Sequence, residues 1–239
     1  MNDPHIAKAF DRDLEAIQAL VMKMGGLVEE AIREAAKSLK TRDTERAEKV
    51  RQGDRKIDEL EDLINTQCAQ LLAIRQPAAT DLRTVLTVMK IAGNLERIGD
   101  YAKNIAKRTE VLSHMQPIEG ASSAIRRMSK EVEAMLSDAL DSYIRRDATV
   151  GEDVRHRDLE VDQMYNALFR EFLTFMMEDP RNITACMHLH FIAKNIERMG
   201  DHVTSIADQV IYLSTGQFPD DQRPKDNQSI YKVEGFEEA

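Results

Sequence analysis

The segment Glu96-Arg97-Ile98-Gly99-Asp100 sets two carboxylates four residues apart, on one face of any helix that contains them. That face adjoins an apolar stripe through Leu95 and Ile98. Like charges at this spacing weaken a helix slightly and gain nothing alone. Gly99 lies beside them, and a mid-helix glycine costs about 1 kcal/mol relative to alanine. Its missing side chain leaves room next to the acids, and Asn104, one turn on, supplies another oxygen. The set recurs as Glu197, Gly200, Asp201 and Ser205. Two further acidic pairs, Asp54/Asp58 and Asp158/Asp162, share the spacing and flank Ile57 and Val161. If the helices carrying them pack antiparallel against the first two, four carboxylates converge on one groove, twice. Such oxygen donors suit hard or borderline cations, namely Mg, Ca, Mn, Fe or Zn. The plainer reading is a set of solvated faces, neutralised across helices by Arg55, Arg97, Arg157 and Arg198, with the glycines permitting close packing.

Those residues need long helices to hold them. Breaks fall near Thr41-Arg42-Asp43-Thr44, Gln76-Pro77, Gln116-Pro117, Arg146-Asp147, Asp179-Pro180 and Gly216. Between them lie six segments of about 30 residues, each roughly 45 Å long as a helix. The first carries Leu14, Ile17, Val21, Met24, Val28, Ile32, Ala35 and Leu39 in steps of three and four. The third carries Ile91, Leu95, Ile98, Ala102 and Ile105; the sixth carries Ile192, Ile196, Met199, Val203 and Ile206. One apolar stripe per helix is the pattern of long antiparallel bundles. Thr44 and Thr149 are candidate helix caps.

The chain repeats itself. Ile91-Ala-Gly-Asn-Leu-Glu-Arg-Ile-Gly-Asp100 returns 101 residues later as Ile192-Ala-Lys-Asn-Ile-Glu-Arg-Met-Gly-Asp201. Arg42-Asp43, Asp54 and Asp58 return 104 residues later as Arg146-Asp147, Asp158 and Asp162. The predicted fold is all-α: two tandem, pseudo-symmetric three-helix bundles, residues 1–115 and 116–216, then a flexible or loosely docked polar tail, 217–239.

Composition narrows the function. Of 239 residues, 5% are aromatic and none is Trp, while 10 Gly and 6 Pro are too few for a turn-rich β fold. A net charge of −9, with bases interleaved among acids, argues against a nucleic-acid grip. Cys68 and Cys186 stand far apart, which disfavours a thiolate zinc site and a disulfide scaffold. The N-terminus lacks the apolar stretch of a signal peptide, and no run reaches the roughly 20 apolar residues of a membrane span, so a cytoplasmic protein is expected. His188 and His190 point to different faces, and His202 reads as a surface or packed histidine. Asp153 and His156 form a carboxylate–histidine spacing that occurs once, and no Glu has His three residues later, as ferritin-like di-iron sites need. Met22, Met24, Met176 and Met177 read as gap-filling core.

The two Glu-Arg-x-Gly-Asp segments resemble those of the PhoU family of phosphate-uptake regulators. The resemblance extends to Val21-Met-Lys-Met-Gly-Gly-Leu-Val28, Arg75-Gln-Pro77 with Asp81-Leu-Arg83, and Met176-Met-Glu-Asp179. It implies the tandem three-helix architecture and a regulator rather than an enzyme. It implies a negative regulator of the phosphate-starvation response, linking the phosphate ABC transporter to its sensor histidine kinase. The transporter's ATPase subunit and that kinase are the implied partners, with a homodimer, no nucleic acid, and a membrane reached only through partners. It implies metal (Fe, Zn, Mn or Mg) on Glu96, Asp100, Glu197, Asp201, Asp54, Asp58, Asp158 and Asp162. A carboxylate-bridged metalloenzyme and a metal-free helical scaffold are the alternatives.

Overall fold

A computed structural model describes residues 4–75, 77 and 79–219. Six helices follow in order: α1 (Pro4–Thr41), α2 (Thr44–Arg75), α3 (Ala79–Ser113), α4 (Ala121–Arg145), α5 (Ala148–Glu178) and α6 (Ile183–Thr215). A single 3-10 turn, Pro180–Asn182, precedes α6. The helices end at the breaks the sequence marks. No helix among the described residues is long and apolar enough to cross a membrane.

The first turn of each half is built alike. Asp43 N–H donates to Ser38 O at 3.0 Å and Arg42 N–H to Leu39 O at 3.3 Å; Asp147 N–H donates to Ser142 O at 3.0 Å and Arg146 N–H to Tyr143 O at 3.3 Å. This Schellman pattern satisfies the last carbonyls of α1 and α4. It places Arg42 (φ 55°) and Arg146 (φ 52°) in the left-handed region. The next residue is then free to cap. Asp43 Oδ1 accepts from Arg46 N–H at 2.9 Å, and Asp147 Oδ1 accepts from Thr149 N–H at 2.9 Å. The caps are therefore Asp43 and Asp147, not Thr44 and Thr149. A capping side chain must belong to a residue still outside the helix, and both threonines are already inside it.

Within each half the helices pack on one another: α1 on α2 and α3, α2 on α3, and likewise α4, α5 and α6. The halves join through α3 against α6 and α1 against α4. The predicted stripes supply the core: Ile17 to Leu39 on α1, Ile91 to Ile105 on α3 and Ile192 to Ile206 on α6 are buried, with Leu14 packed at the edge. The buried residues form one continuous cluster spanning both halves. At the α1–α4 contact a Cβ on Gly25 would run into Leu140 Cδ1, so glycine sets that close approach. Arg33 adds an ion pair to Glu133 at 2.8 Å. Across α3 and α6, Tyr101 meets His202, its counterpart in the repeat, with ring centroids 5.7 Å apart.

One expectation changes. Met24 is buried and Met22 and Met176 pack against the core, but Met177 is 84% exposed, because it lies in the last turn of α5, beyond the packed surface. The chain after Gly216 does not leave the bundle at once. Phe218 stacks on Tyr212 at 4.1 Å, and Lys90 of α3 lies over its ring at 5.4 Å. An aromatic pair and a cation thus dock the start of the segment read as flexible or loosely docked. The rest of it, 220–239, lies outside the described residues.

Candidate functional site

In the first half, α2 and α3 cross where Gly99 faces α2. A Cβ on Gly99 would stand 3.0 Å from Ile57 Cδ1 and 3.7 Å from Asp54 Oδ1. The space the glycine leaves is therefore taken by the neighbouring helix. In the second half the fit is tighter and polar: a Cβ on Gly200 would stand 2.8 Å from Asp158 Oδ1. Each glycine lets α2 or α5 press a buried aspartate against the acidic motif of the next helix. Asp54 is 4% exposed and Asp158 is 7% exposed.

The first acidic set holds Asp54, Asp58, Glu96 and Asp100 within electrostatic reach of one another. Burial pushes the Asp58 carboxyl above its ordinary range, and the charges of Asp54, Asp100 and Asp62 push it further. Burial raises Glu96 likewise, helped by Asp100, Glu61 and Asp58, against the lowering effect of Arg97. The cation among them is Lys103. Its ammonium pairs with Asp54, and with Asp100 at 3.2 Å, so it bridges α2 and α3. Those contacts raise its own pKa.

In the second set, Glu197 Oε1 accepts from Lys194 at 2.7 Å, while Glu197 Oε2 is buried without a hydrogen-bond partner. Asp201 follows one turn on, its carbonyl accepting from Thr204 and Ser205. Ser205 thus bonds its own helix. Asp162 lies half-buried on α5, and Asn104 lies half-buried on α3.

The helix crossings thus bring α2 carboxylates to α3 and an α5 carboxylate to α6. Of the arginines considered as counter-ions, Arg97 touches the first set, from an exposed position, 3.5 Å from Glu96 and 4.0 Å from Asp100. Arg55 pairs with Glu59, and Arg157 pairs with Glu131 and Asp138. Lys103 was legible as an i,i+3 partner of Asp100, but attention to what the repeat preserves passes over it, because the second copy has Thr204 there. As placed, no group of three or more Asp, Glu, His or Cys among the described residues could hold a metal ion. The donor chemistry nevertheless fits a hard cation: carboxylate oxygens, mutual repulsion at Asp58 and Glu96, and an orphaned Glu197 oxygen.

The histidines pack rather than gather. His202 Nδ1 lies 2.8 Å from Asn94 Oδ1, His188 contacts Arg108, and His190 sits among Tyr165, Phe169 and Phe191. Burial lowers all three below their usual value of 6.5, Arg108 and Lys194 adding to the effect at His188 and His190. The unfolded chain therefore binds more protons than the folded one below that value. Their contribution to stability is complete above about pH 6.5 and lost as pH falls through the depressed folded values. Asp58 and Glu96 act oppositely: their raised folded values cost stability as pH rises through the carboxylate range. The melting temperature is expected to fall between about pH 7.5 and pH 5.5, and His190→Phe to flatten the fall. A pH-independent melt across that window in differential scanning calorimetry contradicts this.

The PhoU domain model matches twice, at residues 21–109 and 125–210, one copy in each half. A Phosphate-specific transport system accessory protein PhoU homolog of Caulobacter vibrioides is 43% identical over 221 residues, 92% of this chain and 96% of that protein. One of the same description from Rhizobium meliloti is 40% identical over 227 residues, 95% of this chain and 96% of that protein. The crystal structure of PhoU from Pseudomonas aeruginosa superposes with a TM-score of 0.83 at 37% identity, covering 87% of this chain and all of that one. The phosphate transport system regulatory protein PhoU from Streptococcus pneumoniae gives 0.82 at 31% identity, over 88% of this chain and 99% of that one. By these descriptions the relatives are accessory and regulatory proteins, not enzymes. Matched twice by one domain and along nearly its whole length by such relatives, the chain belongs to the PhoU family.

Proposed function

We propose that this protein is a non-catalytic accessory regulator of phosphate transport, acting in the cytoplasm as a metal-binding adaptor. It lowers the phosphate-starvation response by linking the phosphate ABC transporter, through its ATPase subunit, to the sensor histidine kinase, and it works as a homodimer. The observation that carries this reading is the duplicated acidic motif, set on packed helix pairs in a chain whose relatives are named for the phosphate-specific transport system. The residues that would hold the ions are Asp54, Asp58, Glu96 and Asp100 in one half and Asp158, Asp162, Glu197 and Asp201 in the other. A bound cation would supply only charge there, and would relieve the repulsion among the carboxylates that these residues bring together. Ion occupancy then biases partner binding if the free and bound states differ in metal affinity.

Elemental analysis of protein purified without chelator tests the metal half of the reading. Glu96→Gln with Asp100→Asn is expected to remove about half the bound metal, since one of two matched sets loses two ligands. Unchanged stoichiometry in a folded double variant counts against it. For the adaptor half, affinity capture from phosphate-rich and phosphate-starved cells is expected to retain the transporter's ATPase subunit and the kinase. Capture of neither in either condition defeats it.

A further inference from the structure

We infer that the seam between the end of α1 and the start of α4 is a binding site for a soluble anion built of linked phosphoryl groups. A cavity of about 200 Å³ there is lined by Lys40, Ser123, Arg126, Arg127 and Lys130, with no acid among them. Lys37, one turn before Lys40, lines the adjoining groove together with Arg126 and Lys130. The two helices run antiparallel, since Gly25 meets Leu140 while Arg33 meets Glu133. Each helix therefore brings bases three or four residues apart to the same stretch of surface. All five bases are exposed, and among the described residues none of them forms an ion pair. The acids that border the groove are already engaged, Glu133 with Arg33 at 2.8 Å and Glu34 with Arg46. Glu171 of α5 approaches the start of α4 at Gly120 but lines neither space.

Five like charges held together repel one another, and the fold does not demand them. The matching positions at the other end of the same helix contact are Asp141 and Ile144 on α4 and Met22, Lys23 and Gly26 on α1. That end keeps the packing without the charge. In a chain of net charge −9, such a concentration of positive charge selects an occupant dense in negative charge. A carboxylate brings one charge, whereas linked phosphoryl groups bring several in a short chain, and guanidinium forks match their oxygens. No aromatic ring lines the cavity or the groove, so the phosphoryl chain is read and a nucleobase is not. No exposed large apolar side chain lines them either, so this face has nothing to insert into a lipid surface. The site is separate from the carboxylates proposed above to hold metal.

Calorimetric titration of sodium tripolyphosphate into the full-length protein at about 0.15 M salt tests this. Chelator is kept present, so that no metal bridges the anion to a carboxylate. Saturable binding is expected, with orthophosphate weaker and ATP no tighter than tripolyphosphate. Arg126→Gln with Arg127→Gln is expected to weaken tripolyphosphate binding roughly tenfold, the low end for lost charge-assisted hydrogen bonds. Lys40→Gln with Lys130→Gln must show a loss of the same order, which keeps the test independent of how either pair folds. Lys23→Gln, at the counterpart of Arg127, must leave binding unchanged. Absence of tripolyphosphate binding, or wild-type affinity in both double variants, overturns the inference. Tighter binding of ATP than of tripolyphosphate would move recognition to the nucleoside and overturn it too. So would retention on phosphatidylglycerol vesicles that tripolyphosphate fails to displace, since the seam would then serve a membrane surface.

Discussion

Gly200→Val is expected to lower stability by roughly 3 kcal/mol, the upper part of the usual range for overpacking a well-filled contact. A Cβ there already stands 2.8 Å from Asp158 Oδ1, and Asp158 is 7% exposed, so the carboxylate has little room to retreat. The β-branch then adds two methyl groups to a helix crossing that admits none. For a chain of this size the loss corresponds to roughly 10 °C in melting temperature. Two other glycines calibrate it. Gly53, in the interior of α2, has nothing within 4 Å of its added Cβ, so Gly53→Ala gains helix propensity unopposed and is expected to stabilise by up to about 1 kcal/mol. Gly99→Ala meets the mobile end of Ile57 at 3.0 Å and should fall between the two. Thermal melts of the three variants give the order directly. A Gly200→Val protein melting with the wild type would mean that α5 does not press on α6 at this point.

Gly53 also shows how the repeat diverges. Its counterpart 104 residues on is Arg157, whose guanidinium bridges Glu131 and Asp138 between α4 and α5. In the first half the same position opens into a groove of about 320 Å³ between α1 and α2, floored by Leu27, Ala31, Val50 and Ile57. The periodicity that made the helices legible carries no such detail. Steps of three and four in Ile17, Val21, Met24 and Val28 announce a buried stripe because burial depends on the average environment of a face. The same holds for the acidic motif: i,i+4 spacing put Glu96 and Asp100 on one face, and antiparallel packing brought Asp54 to it. Which cation meets them, and what fills the space beside Gly99, depend on individual side chains rather than on the character of a face. Lys103 comes from α3 itself, but Ile57 arrives from α2, and no spacing rule within α3 foretells it. The misplaced caps have a similar origin. Thr44 and Thr149 carry the right hydroxyl, but the left-handed residues Arg42 and Arg146 end the preceding helices so abruptly that the aspartate comes first.

Phe172→Ala is expected to cost about 3–5 kcal/mol, the range for emptying a buried aromatic site, and to destabilise both halves of the molecule together. Phe172 lies on α5 with 1% of its surface exposed, entirely within the second repeat. Were the repeats independent, only that half would weaken. The core argues otherwise: it runs without a break through α1 against α4 and α3 against α6. Unfolding one half would strip the Gly25–Leu140 contact and the Tyr101–His202 pair from the other. Apolar surface exposed on the surviving half makes the half-folded state unfavourable, which is the physical source of two-state melting. The two cysteines are placed to report it, because Cys68 is buried in α2 and Cys186 in α6. Burial pushes the Cys68 thiol up to about 11 and raises Cys186 as well, so neither thiol is reactive while folded. Thiol labelling against denaturant is expected to give one midpoint for both cysteines in the wild type. Phe172→Ala should move both midpoints to lower denaturant by the same amount. Early labelling of Cys186 with Cys68 still protected would show that the duplicated bundles unfold as separate units.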